Sequence, residues 1–270
     1  MISKAFLIFS ACLFVRLASA QTDGAAFDPM EPVGRAGTNR VVLPVNQVIT
    51  PAGKQIELHG YRPQVLALSP DGRLLVTSGK MRELTVLEPE TGAVLQKVKL
   101  PDDATLPSLP APTSAHILKP DKDEQVSFTG LVFSPDGTRL YLSNVKGSIK
   151  VFSVSADHYV KGIGSISIPE ADSPKRKQEI PAGLAISKNG KRLYVAANLS
   201  NKLLEFDLTT GTWLRSFDVG VEPYEVALTE DRAYVSNWGG RRPDTNSITG
   251  TAGQGKMVRV DPVRFIASEG

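Results

Sequence analysis

The residues best suited to chemistry form one loop near the end of the chain, Asn237-Trp238-Gly239-Gly240-Arg241-Arg242-Pro243. Two glycines permit close backbone approach to a ligand, and the Trp238 indole offers a stacking face. Paired guanidinium groups suit bidentate recognition of phosphate or carboxylate. We therefore predict a ligand site at Asn237, Trp238, Arg241 and Arg242. The alternative is a surface loop in which an arginine stacks on the tryptophan and pairs with a nearby acid.

A second set of candidates consists of asparagines that end strands, Asn144, Asn198 and Asn237. If they line one face of a ring, their amide carbonyls offer ligands for a cation or a polar molecule. The alternative is that each Asn ends its strand and bonds its own backbone in the following turn. Both interpretations remain open at this point.

Catalytic groups do not form a recognisable constellation. His59, His116 and His158 share no metal-ligand spacing, so no metal site is predicted. Glu222 and Glu225 are candidate carboxylates near a strand end, but neither is paired with a histidine. We therefore predict no catalytic residue.

Cofactor chemistry is likewise not predicted. The chain has one cysteine, Cys12, which leaves no thiolate metal site and no attachment site for c-type haem in the mature chain. The segment from Asp207 to Trp213 places the tryptophan too close to the glycine for a quinone-docking repeat. We expect no cofactor.

Charge and composition exclude a nucleic-acid partner. The formal charge is +3, and it falls to +1 when Lys4 and Arg16 leave with the first twenty residues. A nucleic-acid face needs a concentrated basic surface, and the single run Lys175-Arg176-Lys177 is typical of a solvated loop.

The first twenty residues read as a secretory signal. Lys4 begins it, an apolar core spans residues 5–15, and Ala18-Ser19-Ala20 forms a cleavage site. The core is too short for a membrane span. We predict cleavage after Ala20 and a periplasmic or secreted protein; a lipoprotein signal ending at Cys12 is the alternative.

Residues 21–40 are rich in glycine and proline and predict a disordered leader, followed by a propeller domain over residues 41–270. A short hairpin is expected at residues 41–58, with its turn at 50–53.

One pattern then recurs four times: a strand, a turn of Ser-Pro-Asp-Gly type, and a second strand that alternates apolar and polar residues. The four copies lie at residues 65–78, 133–144, 184–198 and 226–237. A third strand follows each copy, at residues 84–88, 149–153, 203–207 and 257–261. Two units continue into a fourth strand. Four antiparallel strands per unit predict an all-β fold, a β-propeller built of four-stranded blades.

Three insertions interrupt the repeats, at residues 101–125, 169–179 and 238–255. Because blades are scaffold, function on a propeller is expected in such loops.

The repeats resemble the YVTN-type β-propeller family, and thereby WD40-like propellers. The resemblance rests on Tyr141–Asn144, Tyr194–Asn198 and Tyr234–Asn237, each following a turn of the same type. The first unit departs from it, with Thr77-Ser78-Gly79 in place of the asparagine. The family implies extracytoplasmic binding modules, lactonase-like proteins or haem and quinone enzyme domains, and some longer relatives carry a phosphoesterase domain.

About four blades are recognisable, whereas propellers of this family close about seven. We therefore expect a C-terminally truncated ring and the N-terminal part of a longer protein; the resemblance implies a C-terminal phosphoesterase domain as a candidate for the rest. A complete five-bladed propeller is the alternative. The expected function is binding of an unknown protein or small-molecule ligand. The alternative is a lactonase-like or phosphoesterase-linked hydrolase, which convergence of Glu225 and Arg62 on one channel mouth would favour.

Overall fold

The computed structural model describes residues 31–36, 40–45, 47–79, 82–101 and 126–268, except for the side chains of residues 126–129. The chain divides into two compact units, residues 1–56 and 57–270. The predicted signal peptide, His116 and most of the insertion at 101–125 lie outside the described residues.

The first unit contains a small antiparallel sheet. Its strands are β1 (Gly34–Arg35), β2 (Val41–Val42) and β3 (Val48–Ile49), in that order. β1 lies within the stretch at 21–40 that the sequence predicts as a leader, where it pairs with β2, and Arg40 forms an ion pair with Glu31. The predicted hairpin is displaced. It closes between β2 and β3, where Leu43 N donates to Gln47 O at 2.8 Å, and residues 55–58 form no strand.

The predicted four-stranded antiparallel blades are confirmed. Within the described residues, three sheets of the second unit are complete blades, whereas about four blades were expected. Blade 1 comprises β4 (Pro63–Leu68), β5 (Leu75–Gly79), β6 (Glu83–Leu87) and β7 (Val94–Lys99). Blade 2 comprises β8 (Val126–Phe133), β9 (Arg139–Asn144), β10 (Ser148–Val154) and β11 (Val160–Ser167). Blade 3 comprises β12 (Pro181–Ile186), β13 (Arg192–Ala197), β14 (Lys202–Asp207) and β15 (Thr212–Asp218). β11 is a fourth strand that the sequence pattern did not predict.

The recurring turn between the first two strands of a blade is stabilised by its own side chains. In blade 2, Gly137 N donates to Ser134 O at 2.9 Å, and Arg139 N donates to the Ser134 hydroxyl at 2.9 Å. The Asp136 carboxylate accepts from Thr138 N at 3.0 Å, and Gly137 adopts a φ of 71°. Asn189 takes the place of Asp136 in blade 3 and accepts from Lys191 N at 3.0 Å. These residues are therefore turn formers.

Neighbouring blades pack face to face through their apolar residues. Leu84, Val86 and Leu100 of blade 1 form one core with Leu140 and Phe152 of blade 2. A second core joins blades 2 and 3. Polar contacts add to the outer edge, where His158 Nε2 lies 2.8 Å from Asp71 Oδ2. Gln96 both donates to Val160 O and accepts from Val160 N, so blades 1 and 2 are also joined between their fourth strands.

The first strands β4, β8 and β12 lie side by side along the inner side of the blades. Glycines set how closely they approach. A Cβ atom at Gly130 of β8 would lie 1.9 Å from Ser143 Oγ and 2.3 Å from Ala182 O. The Ser143 hydroxyl occupies this space and donates to Ala182 O at 2.6 Å. The backbones of blades 2 and 3 therefore meet where no side chain fits at residue 130.

The fourth unit departs from the blade pattern. β16 (Pro223–Leu228) pairs with β17 (Ala233–Asn237), and β12 contacts β16 as the other first strands contact one another. The expected third strand, β19 (Met257–Arg259), pairs instead with β18 (Thr249–Thr251). A short 3₁₀ turn at Gly253–Gly255 connects them, so the nearby partner is favoured because its loop closes at small entropic cost.

No helix in the described ranges has both the length and the apolar character that crossing a bilayer requires.

Replacing Gly130 with Ala tests the inner-strand packing. We expect the free energy of unfolding to fall by about 1–3 kcal/mol, because the new methyl group must displace backbone and the Ser143 hydroxyl. Denaturant unfolding measures the effect. Gly253→Ala is the matched control, since its Cβ would lie 3.7 Å from the nearest atom, Glu222 Oε1. An equal loss in both variants would contradict the close approach.

Candidate functional site

The candidate site lies where second strands end and insertions cross from one blade to the next. The turns after β9 and β13 form hydrogen bonds with the segment that enters the following blade or unit. The turn after β17 forms them with the segment that enters its own unit. This repeated contact holds the insertions at 169–179 and 238–255 against the blades.

The insertion at 169–179 is fixed to the turn after β9. The Arg176 guanidinium donates to Val145 O, and the Gln178 amide donates to Lys146 O at 2.7 Å. Within the basic run at 175–177, Arg176 therefore holds this loop against the turn after β9. The sequence predicts instead that the whole run is solvated.

Glu179 is the most buried charged group of this insertion, with 1% of its surface exposed. Its carboxylate accepts hydrogen bonds from Ile180 N at 2.9 Å, Leu199 N at 2.7 Å and Ser200 N at 3.0 Å. The Ser200 hydroxyl donates to it as well. A buried carboxylate with this many donors orders the turn after β13. The sequence pattern does not indicate this role, because the partners in that turn, Leu199 and Ser200, lie far from Glu179 along the chain.

Arg242 fixes the second insertion to blade 3. Its Nε donates to Val219 O at 2.7 Å, and its Nη2 donates to Asn201 O and, at 3.0 Å, to Asp218 Oδ1. These partners all lie at the end of β15 or in the turn before β14. Arg242 therefore acts as a structural clamp on the protein itself.

Arg241 faces a different partner. Its Nη1 lies 3.4 Å from Asp244 Oδ2, and 57% of its side chain is exposed. The pKa of the Asp244 carboxyl is lowered, chiefly because the Ser247 hydroxyl donates to it. The two arginines thus pair with separate acidic groups, as the surface-loop alternative expects, and they do not form one joint clamp.

Trp238 stacks on Tyr224, not on an arginine. The ring centroids lie 4.3 Å apart with 21° between the planes, and 59% of Trp238 remains exposed. The backbone beneath is fixed, because Trp238 N donates to Glu222 O at 3.0 Å and Gly239 N to Val221 O at 2.9 Å. The sequence analysis did not predict Tyr224. Its position near the start of β16, the strand that pairs with β17, was an available signal.

Each of the three strand-ending asparagines forms a hydrogen bond with the backbone. Asn144 is buried, and its Oδ1 accepts from Lys146 N at 2.8 Å. Asn198 Nδ2 donates to Pro223 O at 3.1 Å, which joins blade 3 to β16. Asn237 Nδ2 donates to Val235 O at 3.0 Å. These bonds give each residue a structural role, while ligand binding by the asparagines stays a prediction.

Two atoms of these asparagines are buried and without a hydrogen-bond partner in the described part of the chain, Asn144 Nδ2 and Asn237 Oδ1. Asn237 packs against Gly220, where a Cβ would lie 2.6 Å from its Cγ. The side-chain amide of Asn237 is therefore packed against Gly220, at the start of the loop at 237–243.

The two insertions meet each other. Lys256, which follows the second insertion, donates from Nζ to Asp172 O of the first at 3.1 Å. Burial lowers the pKa of the Lys256 ammonium, while Glu179 and Asp172 act against this shift. The Lys175 stem lies against Gly255, within 3.3 Å of the position of an added Cβ. Tertiary packing thus builds one continuous loop surface from segments far apart in the sequence.

Groups for hydrolysis do not converge. Packing against β12 raises the pKa of the Glu225 carboxyl, whose Oε1 accepts from Val226 N at 3.0 Å. No hydrogen bond or ion pair joins Glu225 to Arg62 within the described ranges. Nor do the residues that the structure describes contain a cluster of three His, Cys, Asp or Glu side chains that could hold a metal.

Comparison with protein-family models gives no match, and comparison with curated proteins gives none either.

Solved structures with a similar backbone include Kuenenia stuttgartiensis hydrazine synthase, at 19% identity and a TM-score of 0.48, covering 73% of this chain and 47% of that one. U3-55K matches at 12% identity and a TM-score of 0.49, covering 67% and 47%. The RRP9 WD40 repeats match at 12% and 0.49, covering 67% and 46%. The chain thus spans about half the length of these proteins. The assignment of propeller blades rests on the strand pairing described above.

The different contacts of Arg242 and Arg241 predict effects of different size on stability. We expect Arg242→Ala to lower the free energy of unfolding by about 1–2 kcal/mol, because Val219 O, Asn201 O and Asp218 lose a charged donor. Arg241→Ala is the matched control and should stay within about 0.5 kcal/mol, since its exposed pair with Asp244 contributes little. Denaturant titration followed by tryptophan fluorescence measures both. Equal effects would contradict the clamp.

Proposed function

We propose that this chain is a secreted YVTN-type β-propeller that acts as a binding module, with its partner surface on the loop at residues 237–243. The observation that carries the proposal is the Trp238 side chain, which is 59% exposed yet held by stacking on Tyr224. Large aromatic side chains fixed at a surface supply contact area at small entropic cost, and Trp, Tyr and Arg dominate binding hot spots.

The chemistry of the loop defines the partner. The exposed indole suits an aromatic or aliphatic group, and Arg241 suits a carboxylate or phosphate, since a stronger anion can replace its 3.4 Å contact with Asp244. Arg242 supports this surface through its bonds to blade 3 and is not assigned to the partner. A protein or peptide segment that pairs an apolar side chain with an acidic one fits both features.

A random displayed peptide library is the defined probe for this surface. We expect selected peptides to combine an aromatic or aliphatic residue with Asp or Glu. Trp238→Ala should weaken their binding at least about tenfold, as expected for a hot-spot aromatic. Binding is measured by surface plasmon resonance on the immobilised full chain.

Trp213→Ala is the matched control, because Trp213 on β15 is also 50% exposed and lies on a different element. It should leave peptide binding unchanged. Peptides that lose affinity equally in both variants, or that respond only to Trp213→Ala, would place the partner surface elsewhere.

Secretion is proposed from the N-terminal sequence, with its apolar stretch at 5–15 and the Ala18-Ser19-Ala20 site. Mass spectrometry of the protein exported from a bacterial host is expected to find Gln21 at the mature N-terminus. A mature chain beginning with lipidated Cys12 would support the lipoprotein alternative, and a chain that keeps Met1 would contradict secretion.

A further inference from the structure

The outer edge of β17 is an uncovered sheet edge. In blades 1 to 3 the second strand lies between the first and the third. In the fourth unit β17 pairs with β16 on one side, and no other strand pairs with it in the described part of the chain. Its free backbone groups form a template for another strand.

Two equivalent clefts between neighbouring blades differ in size, because the fourth unit has no third strand paired with β17. The cleft between blades 2 and 3 measures about 610 Å³ and is lined in part by Leu208 and Thr209, which follow the third strand of blade 3. The cleft between blade 3 and the fourth unit measures about 1140 Å³. Its lining comes from blade 3 and from β16, β17 and their turn, with no residue from a third strand of the fourth unit.

Side chains facing the larger cleft are exposed where their counterparts are buried. Phe217 pairs with Leu203 on β14, just as Ile166 pairs with Ile149 in blade 2. Phe217 is 40% exposed and Ile166 only 1%. The missing cover is therefore apolar.

The charge pattern defines what the covering strand carries. Arg192 begins β13, lies opposite Asp207 of β14 and forms an ion pair with it. Arg232 has the same place before β17. It is 69% exposed, and the acidic group it contacts is the adjacent Asp231, at 3.5 Å. A carboxylate opposite Arg232 would complete the pattern of blade 3.

The geometry points to β17 as the acceptor of an added strand from a partner, an extended peptide that completes the fourth sheet by β-augmentation. By the register of blade 3, this peptide carries a carboxylate opposite Arg232 and large apolar side chains opposite Ala233 and Val235. Ala233 and Val235 both line the cleft, so those apolar side chains enter it and cover blade 3. The strand runs antiparallel to β17, with the pattern apolar-any-aromatic-Asp.

A fluorescein-labelled peptide with the sequence of residues 201–209, which contains β14, is the probe. We expect saturable binding to the full chain at one site, measured by fluorescence anisotropy. Arg232→Asp should weaken binding about tenfold, because it places like charges opposite one another. The same peptide with its aspartate replaced by arginine should bind the Arg232→Asp variant and regain most of the loss.

Backbone pairing is tested with two peptides methylated at alternate amide nitrogens. Because alternate amides point towards the edge, one set should abolish binding and the other should preserve it. Arg139→Asp makes the same charge change at the same place in the repeat of blade 2, where β9 already pairs with β8 and β10. It is the matched control, expected to leave anisotropy unchanged.

Absence of binding, or binding indifferent to Arg232→Asp, would overturn the proposal. So would a dimer in analytical ultracentrifugation that Arg232→Asp disperses and the peptide does not, since two copies would then share the edge. The chain's own β19 segment is the remaining occupant. If the peptide binds only after Val258 and Val260 are changed to Asp, that segment fills the edge and no external strand is accepted.

Discussion

Close packing of one blade face on the next is the interaction on which the rest of this structure depends. In a four-stranded antiparallel sheet whose strands alternate apolar and polar residues, the apolar face is buried only when a neighbouring sheet covers it. Part of the core of each blade therefore comes from the blade beside it. The inner strands set the spacing. Gly130 and Gly183 leave room for Ser143 and for the backbone of β16, and the apolar cores of blades 1 to 3 follow from that approach.

The same dependence explains the fourth unit. β16 packs on β12 in the ordinary way, but the sheet that should continue outward ends at β17. Blade 3 therefore has a buried face towards blade 2 and an open one towards the cleft, where Phe217 is 40% exposed. The unpaired edge of β17 and the exposed apolar face of blade 3 lie at the same cleft, and such surfaces favour the binding of an added strand.

The loop surface has a different origin. Charged residues of the insertions at 169–179 and 238–255, and Lys256 just after them, form hydrogen bonds within the protein; they include Arg176, Glu179 and Arg242. The proposed recognition surface consists of the exposed face of Trp238 and the exposed side chain of Arg241. A rigid scaffold beneath these two groups is the reason that a short loop can serve as a recognition surface.

The sequence by itself determined the blades, because the turn chemistry and the two-residue alternation are local and recur in every unit. It also indicated the loop at 237–243, whose composition is unlike any other stretch. It did not determine the partner of each arginine, the stacking of Trp238 on Tyr224 or the role of Glu179, since these contacts join residues brought together only by blade packing. The pairing of β19 with β18 was also decided in three dimensions. The pattern at 257–261 matches a third strand, but a short connection and the burial of Val258 and Val260 against Val221 favoured the neighbouring segment over β17.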